Sequence, residues 1–104
     1  MIKDMLLDSA VFSNIRVLDL SDNEIGDIGL GHVMKLFLSK RCSMNEVFTD
    51  RNGITDKGFD EVMKALPVIH GECCPSLTFL SMTGNRITQK CRSQYLPYPS
   101  YINV

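Results

Sequence analysis

The sequence predicts an α/β array made from one strand–turn–helix unit written three times, and three observations carry that expectation. A shift of 29 residues lays Asn23 on Asn52, Ile25 on Ile54, Asp27 on Asp56 and Gly29 on Gly58. Inside each copy the apolar spacing changes from every second residue to the 3.6-residue helical period. The chain has 104 residues, enough for one domain and not for two separate cores, so the copies must bury their apolar faces against one another.

The same shift continues through Leu30 on Phe59, Val33 on Val62, Met34 on Met63 and Phe37 on Leu66, and upstream through Ile15 on Met44, Leu18 on Val47 and Leu20 on Thr49. A third copy follows after 33 residues, with Leu77, Leu80, Asn85 and Ile87 in register; its four extra residues fall in the Pro67 to Ser76 connection. Strands are expected at Val17 to Ser21, Val47 to Thr49 and Phe79 to Met82. Leu30, Val33, Met34 and Phe37 form one helical stripe, and Phe59, Val62, Met63 and Leu66 form its counterpart. Asp27 and Asp56 fall where helix N-caps are wanted, with carboxylates able to accept from orphan amides. Gly29 and Gly58 read as backbone glycines for the turn into each helix.

The third copy decays, since Gln89 stands where Asp was, Cys91 where Gly was, and Pro97 stops the helix. The expected units are therefore 15–43, 44–76 and 77–96. Residues 1–14 read as the tail of a preceding helix or an N-terminal flank, because Ile2, Met5 and Leu6 share a helical face. Residues 97–104, rich in Tyr and Pro, read as an irregular or disordered tail.

The run Ile15-x-x-Leu18-x-Leu20-x-x-Asn23-x-Ile25-x-Asp27-x-Gly29 resembles the leucine-rich repeat, in the α-helical version of about 28 to 29 residues seen in ribonuclease-inhibitor-like proteins. The resemblance covers Ile15 to Leu96, with Thr49 as the weak position of the second unit. It implies a short solenoid with parallel strands on a concave face, α-helices on the convex face, and a ladder of Asn23, Asn52 and Asn85 whose amides satisfy backbone groups of the turns. It also implies a protein–protein interaction or scaffold role. Three units are few for a continuous core, so the chain is expected to be a fragment of a longer array, a truncated product, or a piece completed by a partner.

Composition narrows the function further. Hydrophobic residues make up 44% and charged residues 22%, which suits a folded chain and not a disordered one. Eleven basic residues against twelve acidic ones give a net charge of -1, so no basic field exists to hold a nucleic-acid backbone. No apolar run approaches the roughly 20 residues of a membrane helix. Lys3, Asp4 and Asp8 interrupt any signal-peptide core, and Cys42, Cys73, Cys74 and Cys91 fit no small disulfide scaffold. A reducing, cytoplasmic setting is the expectation.

Strand positions pointing away from the core nominate the binding surface: Asp19, Asp22, Glu46, Phe48, Asp50, Arg51, Phe79 and Ser81. Phe48 and Phe79 are candidate anchors for a protein partner, ringed by carboxylates. The alternative for them is simple cross-strand packing. A second class of reading places zinc or thiol chemistry at His70, Cys73 and Cys74, because imidazole and thiolate suit zinc. No CxxC pair, serine elbow, HExxH or phosphate-binding glycine loop accompanies them, so no enzyme activity, cofactor, metal or small-molecule substrate is expected.

Overall fold

The computed structural model describes residues 15–38 and 43–104. The expectations for residues 1–14 and for Cys42 lie outside the described residues. The elements run β1 (Val17–Asp19), α1 (Gly26–Phe37), β2 (Glu46–Phe48), α2 (Asp56–Val68), β3 (Phe79–Ser81), α3 (Gln89–Ser93) and β4 (Ile102–Asn103). The strands form one parallel sheet in the order β1-β2-β3-β4. Leu18, Val47, Leu80 and Ile102 stand side by side in register and face the helices. Behind them Leu30, Val33, Phe37, Phe59, Val62 and Leu66 complete one continuous core. Parallel strands in one sheet with helices packed behind them agree with the short α/β solenoid that the resemblance implies.

Each strand is short because the chain turns sharply at its end. Asp22, Arg51 and Gly84 occupy the same level of successive units and all have φ between 52° and 70°. That left-handed step costs a non-glycine residue about 1–2 kcal/mol and ends extended backbone at once. It aims the following asparagine inward.

Two local expectations need correction. Asp27 and Asp56 do not cap their own helices. Asp27 lies inside the first turn of α1 and accepts from the Thr55 amide at 2.8 Å and from the Thr55 hydroxyl. Asp56 treats Thr88 the same way, at 2.7 and 2.8 Å. Thr55 and Thr88 occupy the N-cap positions, and the carboxylate of each unit secures the helix start of the next. Gly29 and Gly58 likewise sit in the opening turns of helices, not in the turns before them. A Cβ at Gly58 would lie 2.3 Å from Asp27 Oδ1, and one at Gly29 would lie 2.5 Å from the Ile25 Cβ. Close approach, not turn geometry, selects glycine there.

The insertion between the second and third units is helical. α2 continues through Pro67 to Val68 and then widens into a π-helical turn at Ile69–Cys73, which absorbs extra residues while keeping Ile69 buried. The tail also departs from expectation at its end, because Ile102–Asn103 form β4. The amides of Leu80 and Met82 on the outer edge of β3 donate to the carbonyls of Tyr101 and Asn103 at 2.8 and 2.7 Å. Without that strand the edge would be left unpaired. Aromatic packing holds the tail in place: Tyr95 and Tyr98 meet Phe59 edge-on, with centroids 5.6 and 6.3 Å away, and the Tyr98 hydroxyl donates to the Arg92 carbonyl at 2.7 Å. Burial pushes the Tyr98 phenol above its ordinary pKa. Among the described residues no helix is long and apolar enough to cross a membrane.

Candidate functional site

The asparagines set the level of every loop above the sheet. Asn52 is buried, and its Oδ1 accepts from the amides of Asn23 at 2.8 Å and Ile25 at 3.3 Å. Its Nδ2 donates to the carbonyls of Leu20 and Asp50. Asn85 repeats the pattern one unit on, accepting from Asn52 and Ile54 and donating to Thr49, Met82 and Thr83. Asn23 donates to the carbonyls of Leu20 and Ser21 within its own unit. An amide side chain is suited to this place because it both accepts and donates.

These loops hold the strand face that points away from the helices. Val17, Glu46 and Phe79 share one register row, and Asp19, Phe48 and Ser81 share the next. Phe48 and Phe79 touch diagonally, with centroids 5.4 Å apart and planes tilted by 52°. Both stay half-exposed, so their mutual packing leaves apolar surface open to solvent. Val17, from the same row, is 53% exposed.

Two of the nominated residues are occupied by the fold. Asp50 Oδ1 accepts from the Ser81 hydroxyl at 2.6 Å and from the Thr83 amide at 2.8 Å. Ser81 is buried, because β4 covers its strand and Asn103 Nδ2 donates to its hydroxyl. Asp50 and Ser81 therefore tie β2 to β3 and are not offered to a partner. Asp22 and Arg51 form a two-bond ion pair between units, at 2.7 and 2.8 Å. The guanidinium holds the Asp22 carboxyl below its usual range, and Asp22 in turn raises Arg51. Asp19 is exposed, and the Ser21 amide donates to it at 3.0 Å, which also lowers its pKa. Glu46 is half-buried beside the two phenylalanines and enters no side-chain hydrogen bond or ion pair among the described residues.

Above the sheet, Glu24, Arg51, Arg86 and three glycines bound an open cleft of about 470 Å³. Arg51 is committed to Asp22 and Glu24 opposes Arg86, so the cleft has no net charge to attract an anion.

His70, Cys73 and Cys74 do not converge. His70 stacks on Tyr101, centroids 4.6 Å apart and planes 12° from parallel. Cys74 is fully buried and its thiol donates to the Met44 carbonyl at 3.6 Å. Burial pushes the Cys91 thiol up, away from the thiolate that nucleophilic chemistry needs. Among the described residues no group of three or more His, Cys, Asp or Glu side chains is placed to hold a metal ion.

Sequence reasoning passed over Thr55 and Thr88, the partners of the aspartates. Their signal was available, since both stand 28 or 32 residues after an aspartate and each follows an isoleucine of the repeat. Val17, placed in the outward row but not nominated, is the most exposed apolar side chain of that face.

A family model described as Leucine Rich repeat matches residues 13–31 and 73–90. Those stretches enclose β1 with the start of α1, and β3 with the start of α3. Together with the four-stranded parallel sheet, the two matched stretches support a short leucine-rich-repeat α/β fold. A comparison with curated proteins found no match.

Proposed function

We propose that the chain is a protein-recognition or scaffold module that docks a polypeptide partner on the open face of its sheet, and that it resembles the ribonuclease-inhibitor-like group in unit length and helical backing. Leucine-rich repeat domains generally mediate protein–protein interaction, which supports the class of function. One observation carries the choice of face: Val17, Phe48 and Phe79 keep apolar surface open on a sheet where Asp22, Asp50, Arg51 and Ser81 are tied into the fold. A rigid sheet loses little entropy when a partner seats on it. The role needs no catalytic group, metal or cofactor.

The test is affinity capture with the intact chain, followed by calorimetric titration of the captured partner against Phe48→Ala and Phe79→Ala. Each variant is expected to weaken binding by more than about 1 kcal/mol while the circular dichroism of the chain is unchanged. Undiminished affinity in both folded variants removes the assignment of this face.

A further inference from the structure

We infer that the segment seated on this face is cationic and presents apolar side chains on the same side as its positive charges, a reading that rests on the docking role proposed above. The inference comes from accounting for the face's carboxylates one by one. Asp50 is spent on Ser81 and Thr83. Asp22 is neutralised by Arg51. Asp19 and Glu46 remain, and neither is paired with a cation among the described residues.

Their placement is as informative as their number. Asp19 shares a register row with Phe48 and the buried Ser81, and Glu46 stands between Val17 and Phe79 in the other, so each of the two carboxylates has an apolar neighbour on an adjacent strand. Each of these carboxylates attracts an incoming lysine or arginine and repels an incoming carboxylate, an effect that salt screens at an open face. Neighbouring strands lie about 4.8 Å apart, so β1 to β3 spans about 10 Å, the reach of about three extended residues. A segment whose cations and apolar side chains lie on the same face matches that pattern. An anionic partner would meet two unpaired like charges.

The experiment uses the intact chain and three fluorescent peptides of about ten residues. They are identical in their leucines and carry lysine, serine or glutamate two residues from each leucine, so that one extended face presents both kinds of side chain. Binding is read by anisotropy. The lysine peptide should bind about fivefold more tightly than the serine peptide, with the glutamate peptide weakest. Raising salt from about 0.05 M to about 0.5 M should shrink the lysine preference. The double variant Asp19→Asn, Glu46→Gln should bring lysine to the level of serine, while Phe79→Ala should weaken all three alike. Val17→Ser, at an exposed position, replaces Phe79→Ala if that variant does not fold. Equal binding of the three peptides, still weakened by Phe79→Ala or Val17→Ser, overturns the charge inference and leaves the docking face standing. A lysine preference that survives the double variant overturns it too. Binding indifferent to Phe79→Ala and Val17→Ser overturns the docking face itself, and the inference with it. Failure of every peptide to bind below about 1 mM also overturns the inference.

Discussion

Replacing Asn52 by alanine separates the two jobs of a ladder asparagine, accepting from one unit and donating to carbonyls. In Asn52→Ala the carbonyls lose little: Leu20 O still accepts from Asn23 Nδ2 at 3.0 Å, and Asp50 O still accepts from the Asp22 amide at 3.0 Å. The amides of Asn23 and Ile25 lose the acceptor that Asn52 supplies. Two part-buried amides without that partner cost about 1–1.5 kcal/mol each, and the gap left by a fully buried side chain brings the total to about 3 kcal/mol. Asn23→Ala removes only donated bonds at an exposed position, and Leu20 O keeps Asn52 Nδ2, so it should cost less than about 1 kcal/mol. Urea unfolding followed by far-ultraviolet circular dichroism measures both. The reasoning is refuted if the two substitutions destabilise equally. An Asn52→Ala chain that does not fold beside a folded Asn23→Ala chain agrees with it.

Two glycines of one sequence type should respond oppositely. Gly58→Ala drives a Cβ into the Asp27 carboxylate that is fixed on Thr55, and should lower stability by about 1–3 kcal/mol; Gly31→Ala, with nothing within 4 Å of its new methyl, should raise it by about 0.5–1 kcal/mol in the same urea assay. Phe59→Ala removes a buried ring and the surface on which Tyr95 and Tyr98 rest, so a loss of about 3–5 kcal/mol in thermal or chemical unfolding is expected. The Asp56 carboxyl is held below its usual 3.8 by the Thr88 amide and hydroxyl. Its contribution is therefore fully present above that value and is lost as pH falls through the lowered one. Acid titration of stability should show a shallower decline in Asp56→Asn than in the parent chain, and identical declines would contradict the assignment.

The sequence period placed Leu18, Val47 and Leu80 in line because stacked units must bring equivalent apolar positions together. β4 was hidden from the same reasoning. Ile102 has no repeat spacing before it, and its position depends on tyrosines seated on Phe59 and on an edge of β3 that needed pairing. Alternation also identified which strand side chains face outward but not where their oxygens go. Asp50 reaches sideways to Ser81 and Thr83, 31 and 33 residues away, a connection that no local pattern encodes. The capping expectation for Asp27 failed for a related reason: the motif is local, whereas its acceptor role spans 28 residues.

The junctions between units are stitched from both sides. Asn52 reaches back to the unit before it, while Asp27 and Asp56 reach ahead to the unit after them. Between an asparagine and the threonine that follows it such a seam tolerates no change of length, whereas the connection beyond α2 already absorbs four extra residues. A copy of the middle unit would carry its own Asn52, Thr55 and Asp56 and close both of its borders. A splice inside the stitched stretch strands one half of each stitch, which makes the unit, and not the residue, the natural quantum in which the stitched part of such an array can lengthen or shorten.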